Sequence, residues 1–400
     1  MKTNLFNAIT NETYNNKMDI RNNLLRVIAE SENGKIIPKD WNFIQFLVRN
    51  NLHKKVLHIG DELVCQKDNS DIIWTIIDMD KDIPLDPQFT HSITLMMKNQ
   101  FNIAVQFDAR EALFYFPEGL SAGKYYFTVG AQSWYSTDVN KSFMFELANA
   151  IPAGGQLVIN NDYNATCLNA TLSTYKPMDN IVPRTEWTTP IETVTMLAWD
   201  EENGIFLGTV DNTIQENINS VQRGLLGSNN YKESAIRQWL NSDAVAGSVW
   251  TPQTKFDRPP SWFSNLKGFK DSMDIDFLNV IKPIAVKTAR NTLTYASGYD
   301  TTEDKFFLLS KPQIYGDVTI PGVDEGDTYE YYQRYSDLNS AGTDNDSNRI
   351  KTRNNTANWY WLRSPNPWSA NGVWSVSATG LLGNDGAVTG RGIAAACTIY

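Results

Sequence analysis

The residues best suited to chemistry in this 400-residue sequence are aromatic and polar side chains near its end. An aromatic run at 359–361 is followed by a proline-flanked turn that carries Trp368, and then by Trp374. Ser, Asn and Gly fill the positions between them. Rigid aromatic rings supply contact area at low entropy cost, and short polar groups supply adaptable hydrogen bonds. This mixture is typical of a binding surface.

Strand alternation predicts which of these side chains face a ligand. Neighbouring residues of a strand point to opposite sides, so Tyr360 is displayed if Trp361 lies in the core. Rigid polar turns lie at the surface, which favours display of Trp368. We expect Trp361, Leu362 and Val376 to point inward; the alternative is that all these tryptophans fill a core. The predicted ligand-binding residues are Tyr360, Asn366, Trp368, Asn371, Trp374, Ser377, Asn384 and Asp385.

Signatures of the commonest enzyme classes do not occur in the sequence. GxSxG, HExxH, GxxxxGK[ST] and GxGxxG are all missing. His53 and His58 miss the i, i+4 spacing that places two metal ligands on one helix face, and His91 is the third and last histidine. The three cysteines are far apart and form no CxxC pair. We therefore predict no catalytic residue, no cofactor and no metal.

Two acidic features leave alternatives open. Carboxylates in the segment 324–346 could act on glycans as an acid–base pair, although a solvated loop is the simpler interpretation. Asp344, Asp346 and Asn348 have the spacing of the first part of a calcium loop. Arg349 replaces its turn glycine and no Glu follows at the twelfth position, which weakens the match.

Apolar periodicity predicts a mainly β chain with an α+β C-terminal part. Helical stripes indicate two helices within 1–55, the second carrying Trp41, Ile44, Leu47 and Val48. Short alternating runs separated by glycines predict a β-sandwich over 56–160. The Pro-, Thr- and Asn-rich segment 161–189 is typical of a linker. The remainder, 190–400, combines short helices with short strands and is expected to fold alone.

Charge and hydropathy exclude several classes of protein. A formal net charge of −10 and a pI of about 4.9 argue against nucleic-acid binding and against docking on anionic membranes. No segment approaches the roughly 20 apolar residues that span a bilayer. The first sixteen residues lack a signal-peptide pattern, so we expect synthesis in a cytoplasm.

Four motifs of the C-terminal part are similar to those of a known family. They are YKESAIRQWL at 231–240, FDRPP at 256–260, WLRSP at 361–365 and RGIAAAC at 391–397. Together they resemble a domain family of unknown function that is common in Firmicutes genomes and gut phages. That family looks like a relative of the C-type lectin-like fold of diversity-generating-retroelement variable proteins and formylglycine-generating enzymes. The resemblance covers about 190–400, and Ala395 stands where the family usually has proline.

The resemblance implies a lectin-like scaffold that displays a ligand site in phage structural proteins and surface proteins. It does not imply catalysis, because the formylglycine-generating branch uses paired cysteines and only Cys397 lies in this part. It implies no calcium–sugar site either, since the Glu-Pro-Asn and Trp-Asn-Asp motifs are missing.

The resulting expectation is a phage virion protein, of head, tail fibre or adhesin type. Residues 1–55 would attach it to other virion proteins, and a homo-oligomer, with a trimer favoured, would display the C-terminal domain. That domain would bind host-surface or gut glycans or proteins. The chain would be made in the host cytoplasm and would leave it as part of the virion. The alternatives are a bacterial interaction protein with the same domain and a glycan-active enzyme that uses the loop 324–346.

Overall fold

Mostly antiparallel strands, with a few short helices, make up the regular structure of the chain. The computed structural model describes residues 35–36, 40–112, 114–133, 136–147, 149–159, 165–167, 172–178, 195–200, 205–209, 213–214, 223–224, 226–291, 298–316, 323–333, 348–367 and 369–400. The mainly β class predicted from the sequence is confirmed.

The elements are numbered here in chain order. The helices are α1 Trp41–Arg49, α2 Ala235–Leu240, α3 Ile275–Val280, α4 Lys311–Tyr315 and α5 Glu330–Gln333, with a 3₁₀ turn at His53–Lys55. The strands before residue 180 are β1 Lys35–Ile36, β2 Glu62–Lys67, β3 Ser70–Met79, β4 Ile93–Met97, β5 Val105–Gln106, β6 Phe114–Phe116, β7 Gly123–Ser133, β8 Ser136–Leu147, β9 Gly155–Ile159, β10 Ala165–Cys167 and β11 Leu172–Met178. The later strands are β12 Thr195–Asp200, β13 Ile205–Thr209, β14 Thr213–Ile214, β15 Ile281–Lys282, β16 Ile284–Ala289, β17 Tyr299–Asp304, β18 Phe306–Phe307, β19 Thr352–Arg353, β20 Thr356–Ala357, β21 Tyr360–Pro365, β22 Gly372–Val376, β23 Leu382–Gly386, β24 Gly390–Arg391 and β25 Ala396–Ile399.

One sheet unites the early strands with the last strand. Its order is β1-β2-β3-β4-β25-β15, and β18 also pairs with β25. Ala396 of β25 lies opposite Met96 of β4. The hydrophobic core also joins these two parts of the chain. Trp74 of β3 packs against Phe277 and Phe306 from the C-terminal part, with ring centroids 5.3 and 5.8 Å apart.

The structure differs from the expected division into a sandwich at 56–160 and a separate domain from 190. Every residue of β4 is buried, and β3 is buried along most of its length. Strands that are apolar on both faces need cover on both faces. Elements from 226–400 provide that cover, so β2–β4 and the C-terminal part share one core.

Two further sheets lie in the segment between these parts. Their strand orders are β10-β9-β6-β14 and β11-β8-β7-β12-β13. The strands β6, β7 and β8 lie within the segment 56–160, where the sequence predicts short strands. The segment 161–189, predicted as a linker, contains β10 and β11. Pro177 is compatible with β11 because that strand is at the sheet edge, where proline is tolerated.

The predicted apolar stripe of α1 is confirmed and is used inside the fold. Asp40 caps the helix by accepting a hydrogen bond from the backbone N–H of Asn42 at 2.9 Å. Trp41 packs on Phe277 of α3 with ring centroids 4.5 Å apart. The earlier helix predicted within 1–55 lies outside the described residues. Among the helices that the structure describes, none has the length and apolar character needed to cross a bilayer.

Candidate functional site

The strands β21, β22 and β23 form a small antiparallel sheet that carries several of the predicted binding residues. Trp374 of β22 lies directly opposite Asn384 of β23, and Leu382 lies opposite Val376. Opposite residues of an antiparallel pair project from the same side. The Nζ of Lys311, the first residue of α4, lies 5.4 Å from the centre of the Trp374 ring. We call Lys311, Trp374, Leu382 and Asn384 the Trp374 face.

The Trp374 face combines three kinds of binding group. The Trp374 residue is half-buried, and its apolar ring is the binding group, because its Nε1 is a buried atom without a hydrogen-bond partner among the described residues. The half-buried Asn384 amide offers a donor and an acceptor, and Lys311 brings a positive charge over the ring. An apolar ring beside hydrogen-bonding groups suits a ligand with both apolar and polar surfaces.

Asp385 lies on the other side of the same sheet. It alternates with Asn384 along β23 and lies opposite Val373. Its carboxylate accepts two hydrogen bonds of 2.8 Å from Arg391, whose guanidinium stacks 4.9 Å from the centre of the Trp359 ring. Asp385 is therefore engaged with its own chain and does not join the Trp374 face.

Tyr360 is buried, so its expected display is wrong. Its hydroxyl donates to the carbonyl of Arg349 at 2.9 Å. On the other side of β21, Trp361 donates to the carbonyl of Val105 at 3.0 Å and packs on Phe107. The alternation argument fails because both sides of β21 are covered. The inward positions expected for Trp361, Leu362 and Val376 are confirmed.

The turn after β21 is held from beneath by two buried asparagines. Asn229 donates to the carbonyls of Ser369 and Gly372 at 2.7 and 2.8 Å, and Asn291 donates to Ser369 at 2.8 Å. The predicted residues Asn366 and Asn371 are buried in this turn, which contradicts their expected display. Trp368 lies outside the described residues.

Ser377 is also buried, and its role is to shape the turn between β22 and β23. Its hydroxyl accepts hydrogen bonds from the backbone N–H groups of Thr379 and Leu381 at 3.3 and 3.0 Å. The surface position expected for Ser377 is therefore wrong, because the turn geometry uses the hydroxyl.

The WLRSP motif holds several segments of the fold together through buried hydrogen bonds. Arg363 is buried and donates to the carbonyls of Leu308 and Glu325, both at 2.8 Å, and to the Gln313 side chain at 2.6 Å. Ser364 donates to the buried carboxylate of Glu325 at 2.9 Å. The motif thus ties β21 to α4 and to the acidic loop.

A cleft of about 420 Å³ lies beside Arg363. It is lined by charged side chains of both signs, including Lys81, Asp82, Lys287, Asp324, Asp327 and Arg363. Burial raises the pKa of Asp82, against the hydrogen bonds from Thr94 and Tyr329 that lower it.

Asp324 and Glu325 of the acidic loop are both engaged by groups of the fold. Hydrogen bonds from the Gly326 N–H and from Lys287 lower the pKa of Asp324, which lies 3.2 Å from the Lys287 Nζ. Glu325 is held by Ser364 and by the backbone N–H of Ala289 at 3.0 Å. A general acid needs a raised pKa, so Asp324 does not suit that role. Asp344 and Asp346 lie outside the described residues.

One group of side chains in the described part of the chain could hold a metal ion. His53, Asp80 and His91 bring ligand atoms to within 4.8 Å of one another. Sequence reasoning missed this group because the three residues come from separate segments with no metal-motif spacing.

The C-terminal part of the chain matches a protein-family model. Residues 203–400 match the family described as Domain of unknown function (DUF6273). The expected similarity of this part to a domain of unknown function is thereby confirmed. No curated protein and no solved structure matches the chain.

Proposed function

We propose that this chain is a non-catalytic binding protein that holds its ligand on the Trp374 face. We also propose a C-type lectin-like fold for the C-terminal part. The resemblance of its four motifs supports that fold, and the family match covers the same residues. One observation carries the binding proposal: Trp374 lies opposite Asn384, and the Lys311 ammonium lies over the Trp374 ring.

The partial exposure of the Trp374 ring is the first argument. Trp361, one strand away, is 1% exposed and belongs to the core. Trp374 keeps part of its ring accessible at the rim of that core. Accessible tryptophans are common anchors of binding surfaces, because one ring supplies a large apolar contact.

The polar neighbours of the ring argue for a glycan ligand. A sugar ring has an apolar C–H side that can lie on an indole and hydroxyl groups at its edge. Asn384 can both donate to and accept from such hydroxyls. Lys311 can donate to a hydroxyl or attract a sugar carboxylate. The proposed ligand is therefore a host-surface or gut glycan, and a protein ligand is the alternative.

The proposed setting is a phage particle, and it rests on the resemblance alone. The chain would be a virion protein made in the host cytoplasm, attached through 1–55 to other virion proteins, with a trimer favoured. The apolar side of α1 is already used inside the fold. We therefore assign attachment to residues that precede α1. Co-purification with capsid or tail proteins tests the attachment. Light scattering of the isolated chain tests the trimer.

Glycan binding is tested by applying the full chain to a printed array of bacterial and mucin-type glycans. Trp374→Ala should weaken binding of any recognised glycan by roughly 30-fold or more, the factor that corresponds to the 2 kcal/mol of an anchor residue. Asn384→Ala should weaken it less, since a rim hydrogen bond contributes less than the anchor.

Trp359→Ala is the matched control. Trp359 is another half-buried tryptophan, and it packs on the opposite side of the same sheet, over Gly383. Its replacement should leave glycan affinity within a few-fold of the original. A loss caused by Trp359→Ala together with retention by Trp374→Ala would place the ligand on the wrong side of the sheet and refute the proposal.

A further inference from the structure

We propose that His53, Asp80 and His91 form a binding site for one divalent transition-metal ion of the zinc class. The three residues come from separate segments. His53 begins the 3₁₀ turn after α1, Asp80 follows the end of β3, and His91 precedes β4. Two imidazoles and one carboxylate are a ligand set that zinc accepts, with a fourth position left for water.

The distances between ligand atoms suit such an ion. Nε2 of His53 and Nδ1 of His91 each lie 3.2 Å from the same oxygen, Oδ1 of Asp80. Ligand atoms about 2.0–2.1 Å from a tetrahedral ion are separated from one another by about 3.3 Å. The two imidazole nitrogens lie within 4.8 Å of each other, and an inward movement of the rings would place the three atoms around one ion.

His53 supplies an independent argument for a missing partner. Its side chain is 0% exposed, and neither ring nitrogen has a hydrogen-bond partner in the described part of the chain. Although Nε2 is close to Asp80, the two are not hydrogen-bonded. A buried polar group without a partner costs about 1–3 kcal/mol. An ion bound to Nε2 would satisfy that nitrogen.

The surroundings of Asp80 direct one of its oxygens, Oδ1, at both histidines, and Oδ1 is hydrogen-bonded to Nδ1 of His91. Lys54 lies 2.6 Å from Oδ2, so it occupies the other oxygen of the carboxylate. The N–H of Ser92 donates to Oδ1 at 3.0 Å, which fixes the orientation of the group. Hydrogen bonds of this kind orient ligating carboxylates in known metal sites. His91 is 27% exposed at its side chain, which gives an ion a route from solvent.

The test uses the full chain produced without a polyhistidine tag. Titration with Zn²⁺ in a calorimeter should show one equivalent bound, and Co²⁺ should give the visible absorption of a four-coordinate N/O site. No near-ultraviolet thiolate band should appear, since no cysteine is part of the site. His91→Gln should weaken Zn²⁺ binding roughly 100-fold or more, beyond the 10–100-fold typical of changes to supporting residues.

His58→Gln is the matched control. His58 is the remaining histidine of the chain, 76% exposed at its side chain and paired with Asp61 rather than with the site. The His58→Gln variant should bind Zn²⁺ as tightly as the unaltered chain does. His91 is partly exposed, so its replacement should preserve the fold, which metal-free melting checks. Absence of stoichiometric binding by the unaltered chain, or equal losses in the two variants, would overturn the proposal.

Discussion

Replacement of Lys351 by methionine should remove a specific pH dependence from the stability of this protein. Lys351 is 4% exposed, and its ammonium donates to the carbonyl oxygens of Met97 and Lys98 at 2.5 and 3.2 Å. Burial, with a smaller contribution from the charge of Lys98, lowers the pKa of Lys351 to about 7. An unfolded chain restores the ordinary lysine pKa of about 10.4.

The sign of the effect follows from proton counting. Between pH 7 and about 10.4 the unfolded chain holds a proton on Lys351 that the folded chain has released. The free energy of unfolding therefore rises with pH in this window, by at most about 1.4 kcal/mol per unit from this group. Below the folded-state pKa both forms are protonated, and the contribution to the slope disappears. From about pH 7.5 to 9.5 the expected gain is about 2.5 kcal/mol.

The assay is urea unfolding of the unaltered chain and of Lys351→Met across this pH range. Their difference in free energy of unfolding should change by about 2.5 kcal/mol in favour of the unaltered chain as pH rises. Lys55→Met, at an exposed lysine, is the control and should show a constant difference. A constant difference for Lys351→Met as well would refute the argument that burial holds this lysine near neutrality.

Three other substitutions test the architecture of the small sheet. Trp361→Ala should lower the free energy of unfolding by about 3–5 kcal/mol, because it empties a buried site and removes the bond to Val105, whereas Trp374→Ala should cost less than half of that in the same denaturation experiment. Gly383→Ala should displace the Trp359 indole, with which a Cβ would overlap, and shift tryptophan emission towards the solvent-exposed wavelength at a cost of about 1–3 kcal/mol. Arg363→Met should lower the melting temperature through a loss of about 3–5 kcal/mol, since it leaves the buried carbonyls of Leu308 and Glu325 without their donor. An unchanged melting temperature would contradict the structural role of the WLRSP motif.

Patterns within a few neighbouring residues were sufficient to predict several helices and strands. The stripe of α1 follows from helical spacing, and the β-branched run of β3 predicts a strand at the observed place. The helix α2 and the buried position of Trp361 follow in the same way. In each case the signal lies within one turn or one strand of the residue concerned.

The features that could not be predicted depend on distant partners. Alternation along β21 shows that Tyr360 and Trp361 face opposite ways, but it does not show that both sides are covered. A single Asn in a polar segment indicates a loop, so nothing local shows that Asn229 and Asn291 meet beneath the turn at Ser369. Such convergence is a property of the tertiary fold.

The candidate site was predicted in part for the same reason. Residue types alone favoured Trp374 and Asn384, and the register of β22 with β23 brings these two together. The contribution of Lys311 was missed, because α4 is more than 60 residues away in the sequence. Asp385 lies on the other side of the sheet, and its engagement by Arg391 is not visible in the sequence.

The position of β25 in the middle of the main sheet has a consequence for biosynthesis. Ala396 pairs with Met96, so 300 residues must be translated before β4 acquires this neighbour. Until then β4 lacks the strand that covers its open side, and an uncovered apolar strand edge can recruit other chains. Nascent chains stalled before residue 396 should therefore aggregate or occupy chaperones, and folding of the shared core should be a late, slow event.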